Sequence, residues 1–315
     1  MIFSKRFPFA HTFSIVARDQ SNGQMGVAVQ SHWFSVGQVV TWAEAGVGAV
    51  ATQAFSETSY GPLGLALMRA GKTAPEALAA LLATDERREL RQVAMVDAKG
   101  RVATHTGNRT IADAGHEIGE GFSVQANMMM NPSIWPAMAK AYRESNGDLA
   151  ERLITALEAA QTAGGDIRGM QSAAILIVEP ISTGRPWVDT LMELRVEDHP
   201  EPIKELRRLV NIQRAYQHMN NGDDYIGKGQ IEQALIAYSE ADAMAPDMDE
   251  LPFWHAITLA EMGRLEEALP LFKLVFEINP NWATLVQRLP ASGLLRDDPA
   301  MLTRIAEVAK KSKPE

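Results

Sequence analysis

The chain has 315 residues, of which 46% are hydrophobic and 22% charged, a globular composition with enough length for two domains. Its net charge of −9 repels phosphate backbones and anionic lipid surfaces, which argues against nucleic-acid and membrane partners. The absence of cysteine excludes disulfides, thiolate metal sites and thiol nucleophiles. No apolar run of secretory or membrane-spanning type is present, so we expect a cytoplasmic protein.

The first predicted element is a strand in "HTFSIVARD", residues 11 to 19. Phe13 and Ile15 alternate with Thr12 and Ser14, which places these pairs on opposite faces. A second strand, "GQMGVAVQS", follows the turn signal Ser21-Asn22-Gly23. The two strands are therefore predicted to form a hairpin.

Strands and helices then alternate in groups. "GVGAVATQA" reads as a strand, and two helices follow it, the second with Thr73 and Glu76 as a capping box. A second hairpin has its turn at Asp97-Ala98-Lys99-Gly100. "GFSVQANMM" predicts another strand, before helices at about 133–144 and 148–162 and two final strands. This grouping indicates an α+β domain with antiparallel sheets flanked by helices.

After Asp198 the pattern is helical and contains an internal repeat. The same offset, 268 − 234 = 34 residues, joins Ala234 to Ala268 and Tyr238 to Phe272. The spacing of small, aromatic and proline residues resembles tetratricopeptide repeats, with a flanking helix at about 201–212 and an incomplete third copy. Of two interpretations, a packing or dimerisation module is favoured over a peptide-binding groove, because no row of carboxylate-clamping side chains is evident.

Familiar catalytic and metal motifs are missing. None of the seven histidines has the short helical spacing of a zinc motif, and the sequence has no G-x-S-x-G elbow or phosphate-binding glycine loop. We therefore predict neither a metal nor an organic cofactor.

Polar side chains instead interrupt apolar strands. One group ends an early strand, a second lies in "GFSVQANMMM", and a third lies in the glycine-rich "GGDIRGMQS"; they include Gln30, Ser31, His32, Ser123, Gln125, Asn127, Asp166 and Arg168. A buried amide without a partner costs about 1–3 kcal/mol, so such groups should meet one another or a ligand. An internal network and a binding site are both open at this point.

These stretches carry a family resemblance. "TFSIVARD", "GVAVQSHWFSVG", "AGVGAVATQA", "GFSVQANMM", "GGDIRGMQSAA" and "ELRVEDHPEPIKELRRL", among others, resemble the bacterial domain-of-unknown-function family 1028, grouped with the N-terminal-nucleophile (Ntn) hydrolases. The resemblance covers residues 12 to about 208. It implies an αββα sandwich of two antiparallel sheets between helical layers. The predicted organisation is an extension (1–11), an Ntn-hydrolase-like domain (12–198) and a tetratricopeptide-like domain (199–315).

The resemblance also implies a chemistry. In Ntn hydrolases the first residue of the mature chain attacks an amide carbonyl, and its free α-amine accepts the proton. Thr12 matches that position. Thr12 is therefore the candidate nucleophile. Strand position and polarity add His32 and Asn127 as candidate catalytic residues, and they add as candidate substrate-binding residues Ser14, Ser31, Gln125, Asp166 and Arg168.

Eleven residues precede Thr12, and its nitrogen is acylated until they leave. A misassigned start, autocatalytic cleavage of the His11–Thr12 bond and an inactive relative all remain open. The predicted function is hydrolysis of a C–N amide bond in a small or peptide-like substrate. The alternative is a non-catalytic binding or scaffold protein whose repeats recruit a partner. We also expect a homodimer.

Overall fold

The computed structural model describes residues 9–311, which divide into one compact unit ending at Val210 and a second beginning at Asn211. Residues 1–8 of the predicted extension lie outside the described part. The last strand ends at Val196, so strands stop where the sequence pattern becomes helical. The boundary predicted after residue 198 stays a prediction.

One antiparallel sheet of the first unit has six strands, in the order β11-β10-β3-β2-β9-β8. The predicted hairpin forms its centre, with Ser14 opposite Val29 and Val16 opposite Val27. The other neighbours of β2 and β3 are β9 and β10. Its strands are β2 (Thr12–Arg18), β3 (Met25–Ser31), β8 (Gly115–Gly119), β9 (Phe122–Ala126), β10 (Ser172–Val178) and β11 (Thr190–Val196).

The other antiparallel sheet has five strands, in the order β1-β5-β6-β7 with β4 also paired to β5. Gln53 lies opposite Gln92 in the β5–β6 pair, and Ala54 lies opposite Ala10 in the β5–β1 pair. Its strands are β1 (Phe9–Ala10), β4 (Thr41–Glu44), β5 (Gly48–Phe55), β6 (Arg91–Asp97) and β7 (Val102–Thr106). The mixed α+β class with two antiparallel sheets is thus confirmed.

Two helices pack on the outer face of each sheet. One apolar cluster joins Phe13 and Ile15 of β2 to α4 and α5, and another joins Val50 of β5 and Val93 of β6 to α2 and α3. Val16 and Val27 pack between the sheets, as the period-two pattern predicts. The helices are α1 (Gly37–Val40), α2 (Tyr60–Arg69), α3 (Ala74–Thr84), α4 (Ile134–Glu144), α5 (Leu149–Thr162) and α6 (Pro186–Asp189), with a 3-10 turn at Arg88–Leu90.

Local capping chemistry fixes where two of these helices begin. The Thr73 side chain accepts from the Glu76 backbone N–H, and the Glu76 carboxylate accepts from the Thr73 backbone N–H, which completes the predicted capping box of α3. Asp148 caps α5 by accepting from the Glu151 backbone N–H.

The second unit is helical within its described residues. The 34-residue offset places Gly229 and Gly263 at equivalent positions, and both adopt positive φ, 72° and 81°, where a helix ends. Tyr238 and Phe272 are both buried between helices. The helices are α7 (Pro202–Gly227, which begins in the first unit), α8 (Ile231–Met244), α9 (Glu250–Glu261), α10 (Leu265–Ile278), α11 (Asn281–Val286), α12 (Leu289–Ser292) and α13 (Pro299–Lys311). Among residues 9–311, no helix combines the length and apolarity needed to cross a membrane.

Candidate functional site

Thr12 is the first residue of the central strand β2, and it is fully buried. Its side chain belongs to the face between the two sheets, because Ser14 and Val16 on the same face meet the other sheet. Its Oγ1 donates a hydrogen bond of 2.5 Å to the backbone carbonyl oxygen of Gln30 on β3. This hydrogen bond fixes the orientation of the hydroxyl.

The residue before Thr12 is the point where the chain passes from one sheet to the other. β1 pairs with β5, and β2 begins one residue later, so His11 bridges the two sheets. His11 is only 2% exposed. Its Nδ1 lies 2.8 Å from Oδ1 of Asn127, and its ring meets the ring of Phe55 edge-on at 5.7 Å.

The backbone carbonyl oxygen of His11 accepts two strong hydrogen bonds. Ser31 Oγ donates at 2.6 Å and Arg168 Nη2 donates at 2.6 Å. Asp166, whose side chain is fully buried, holds the Arg168 guanidinium through contacts of 2.6 and 3.0 Å. This carbonyl belongs to the peptide bond that acylates Thr12, so the donors polarise that bond.

A network of buried side chains connects the two sheets behind Thr12. Ser14 Oγ donates to Gln53 Oε1 at 2.5 Å, and Gln125 Nε2 donates to Ser14 Oγ at 2.6 Å. Gln53 Nε2 lies 2.7 Å from Gln92 Oε1 and 3.3 Å from the Thr12 carbonyl oxygen. Satisfied polar networks of this kind rigidify a core, since an unpaired member would be costly.

Gln30 departs from this pattern. Its backbone carbonyl holds the Thr12 hydroxyl, but neither polar atom of its fully buried side-chain amide has a partner among the described residues. The side chain lies opposite Phe13, on the face of the sheet that packs against α4 and α5. Each such unsatisfied group costs about 1–3 kcal/mol.

Burial lowers the pKa of His11, and the positive charge of Arg168 acts in the same direction. The hydrogen bond to Asn127 and the charge of Asp166 oppose this shift but do not reverse it. The imidazole is consequently neutral at pH 7.

Two residues beside the site adopt the left-handed backbone region that side chains rarely occupy. Ala54 has φ of 71° and lies between Gln53 and Phe55, and Met128 has φ of 58° and directly follows Asn127. Such conformations cost about 1–3 kcal/mol each and persist where the surrounding structure fixes them.

The structure brings several predicted site residues together and separates others. Ser31, Asn127, Asp166 and Arg168 surround the His11–Thr12 peptide bond, whereas Ser14 and Gln125 belong to the network behind it. The His32 side chain is exposed, and its Nδ1 lies 3.2 Å from the Met170 carbonyl oxygen.

The sequence analysis did not identify His11 as a buried side chain or Phe55 as its ring neighbour. It also did not identify Gln53 and Gln92 as members of the buried network. A signal was present for the two glutamines, because each interrupts an apolar strand as Gln125 does. No local signal marks His11.

Two cavities of the first unit are lined by residues other than Thr12. The described residues contain no group of three or more histidine or acidic side chains placed to hold a metal ion. A cavity of about 450 Å³ lies at the opposite end of β2, lined by residues that include Arg18, Tyr142 and Arg152. Another of about 440 Å³ lies between α5 and the start of α7.

Residues 12–206 match the model of a family described as "Family of unknown function (DUF1028)". The chain belongs to this family. Among solved structures, it is similar to the crystal structure of protein SPO2555 from Silicibacter pomeroyi, also described as DUF1028. The two are 31% identical with a TM-score of 0.58, over 64% of this chain and 88% of that one. No curated protein matches. The DUF1028 match ends before the second unit begins.

Proposed function

We propose that the DUF1028 segment is an Ntn-type amide hydrolase whose nucleophile, Thr12, is released by cleavage of the His11–Thr12 bond. The observation that carries this proposal is the pair of donors on the His11 carbonyl oxygen, Ser31 Oγ and Arg168 Nη2. Preorganised donors at a carbonyl oxygen stabilise the negative charge that develops there during acyl transfer. The helix–sheet–sheet–helix packing supports an Ntn-like sandwich, with Thr12 heading a central strand.

The release begins with attack of Thr12 Oγ1 on the carbonyl carbon of His11. A C–O bond forms, the C–N bond breaks, and the hydroxyl proton passes to the departing nitrogen of Thr12. Water then hydrolyses the ester, which leaves a carboxylate on His11 and a free α-amine on Thr12. In this step Ser31 and Arg168 hold the oxyanion, and Asp166 positions Arg168.

The released threonine repeats the same chemistry on an external substrate. Its α-amine, with an ordinary pKa of about 7.7–8.0, accepts the hydroxyl proton and transfers it to the leaving amine. Asn127 lies beside the nucleophile, with its backbone N–H 3.1 Å and its Nδ2 3.4 Å from the Thr12 carbonyl oxygen. No metal or organic cofactor enters this scheme.

Intact-mass measurement of the full chain tests the proposal directly. The expected result is a time-dependent change from the full-length mass to a species that begins at Thr12, together with a fragment of residues 1–11. A full-length mass that stays constant during long incubation contradicts the proposal and favours the alternative function.

That alternative is a non-catalytic binding or scaffold protein. The observation favouring it is that the Thr12 hydroxyl is fully buried and already bonded, while β1 ties the preceding residues into a sheet. Under this alternative, the second unit would be a tetratricopeptide-like module that mediates self-association as a homodimer or recruits a partner peptide. Sedimentation of the full chain tests the homodimer, because a monomeric mass at micromolar concentration contradicts it.

A further inference from the structure

The side chain of His11 occupies a compartment that is closed and chemically specific. Its walls include the amide of Asn127, 2.8 Å from Nδ1, and the ring of Phe55, which meets the imidazole edge-on. With 2% exposure, the residue leaves almost no surface in contact with solvent. A small planar ring therefore fits this place by shape.

The hydrogen bonds of Gln92 determine which way the Asn127 amide is oriented. Gln92 Nε2 lies 2.9 Å from the Ala126 carbonyl oxygen and 3.2 Å from that of Gly115, and backbone carbonyls only accept hydrogen bonds. The other terminal atom of the Gln92 amide is therefore Oε1, which accepts a hydrogen bond of 2.9 Å from Asn127 Nδ2. This leaves Asn127 Oδ1 directed at His11, where it can only accept.

It follows that the compartment requires a hydrogen-bond donor. His11 meets the requirement as a neutral imidazole with its proton on Nδ1. An apolar ring of the same size would leave Asn127 Oδ1 buried without a partner, and sites built to bond a donor reject analogues that lack it.

We propose that this compartment is the acyl-side subsite of the mature enzyme and that it selects substrates carrying a small, neutral, planar N–H donor such as an imidazole or carboxamide. The inference rests on the proposed function. Attack on His11 and attack on a substrate both join Thr12 Oγ1 to an acyl carbon through an ester. The acyl group of a substrate therefore takes the place of residue 11, with its carbonyl oxygen between Ser31 and Arg168.

Substrate preference in the self-cleaved protein is the first test. The probes are the p-nitroanilides of N-acetylhistidine and of N-acetyl-3-(2-thienyl)alanine, whose five-membered ring lacks an N–H group. The expected kcat/KM for the histidine compound is about tenfold or more above that for the thienyl compound. Asn127→Leu should bring the ratio of the two values close to one, whatever happens to the absolute rates.

Ligand binding to an uncut chain is the second test and does not depend on turnover. Thr12→Ala keeps the full chain whole, and His11→Gly in that background vacates the compartment. Imidazole at about pH 8, where it is mainly neutral, should raise the melting temperature, and 1-methylimidazole, which lacks the N–H, should bind about tenfold more weakly.

The outcomes separate the two proposals. Hydrolysis of both anilides with equal kcat/KM contradicts the proposed subsite but is consistent with the proposed hydrolase. Equal binding of imidazole and 1-methylimidazole also overturns the subsite. A third outcome is that the double variant binds imidazole selectively while the wild-type chain neither cleaves itself nor hydrolyses either anilide. That outcome supports the donor requirement of the compartment but overturns the hydrolase.

Discussion

Arg168 donates a hydrogen bond of 2.6 Å to the backbone carbonyl oxygen of His11, a residue 157 positions earlier in the chain. The contact places a positive charge on the carbonyl of the peptide bond that precedes Thr12. Asp166 accepts from two nitrogens of the same guanidinium, so its direction is fixed. The glycine-rich loop of residues 163–171 is thereby joined to the start of β2.

Removing that charge should slow self-cleavage. For Arg168→Gln we expect a decrease of about 100- to 1000-fold, the cost of losing one oxyanion donor. The rate is followed by intact mass. Arg69→Gln is the matched control, because Arg69 forms an exposed ion pair with Glu44. The chain with this substitution should cleave itself at the wild-type rate. Equal rates for the two variants would exclude an oxyanion role for Arg168.

Substitutions of Thr12 distinguish a nucleophile from a structural residue. Thr12→Ala should keep the full-length mass indefinitely, whereas Thr12→Ser retains the hydroxyl and should still cleave. Both variants lack the methyl group, and Thr12→Ala also lacks the hydrogen bond to the Gln30 carbonyl oxygen, so the alanine variant should be less stable than the uncut serine variant by about 1 kcal/mol. Cleavage of the alanine variant at the same bond would show that another group attacks.

The amide network between the sheets should contribute measurably to stability. Gln53→Leu removes the acceptor of the Ser14 hydroxyl proton and one of the two donors to Gln92 Oε1, which keeps its bond from Asn127 Nδ2. We expect a loss of about 1–3 kcal/mol in urea-induced unfolding, mainly because the Ser14 hydroxyl proton is left buried without an acceptor. Gln38→Leu, at an exposed position of the same unit, should change stability by less than about 0.5 kcal/mol.

The uncut chain should lose stability as the pH falls below neutrality. The pKa of His11 is lowered in the folded state, mainly by burial, so near its ordinary value of 6.5 the unfolded chain binds a proton that the folded chain does not. The contribution of neutral His11 to the free energy of unfolding is therefore complete above pH 6.5. It decreases as the pH falls from 6.5 to the lowered pKa of the folded chain. His116, whose pKa is also lowered by burial, has the same sign.

Urea midpoints of Thr12→Ala between about pH 7.5 and about pH 5.5 test this dependence. Adding His11→Asn should flatten the curve without abolishing the slope, because His116 remains. An unchanged slope would mean that His11 does not titrate differently in the folded and unfolded chains.

Two glycines of α7 should respond oppositely to alanine. A methyl group on Gly222 would lie 2.6 Å from Cε1 of Tyr238, so Gly222→Ala should lower the stability of the second unit by about 1–3 kcal/mol. Gly227 has nothing within 4 Å of that position. Gly227→Ala should be neutral or stabilising by up to about 1 kcal/mol. Thermal unfolding of the full chain compares them, and equal destabilisation would argue against close packing at Gly222.

Local chemistry explains why much of the fold was predictable. The alternation of Phe13 and Ile15 with Thr12 and Ser14 assigned each side chain to its face, and Thr73 with Glu76 fixed the start of α3. The predicted helix at about 201–212 is instead part of α7, which continues to Gly227. No proline or capping residue after Ile212 ends it, so the sequence offered no stop signal there.

The candidate site was predictable only in part. Asn127, Asp166 and Arg168 were identifiable as polar groups among small apolar residues. Their arrangement around His11 was not, because it depends on three segments far apart in sequence. Gln53 and Gln92 carried the same signal as Gln125, and it becomes interpretable once the two sheets face each other.

By itself, the sequence determined the antiparallel α+β character of the first unit and the helical character of the second, because these follow from side-chain periodicity and composition. Only the tertiary structure decided that His11 is buried at the crossing between two sheets with Ser31 and Arg168 on its carbonyl oxygen. Hydrogen bonds between residues more than a hundred positions apart depend on how the sheets pack, and no local pattern encodes that packing.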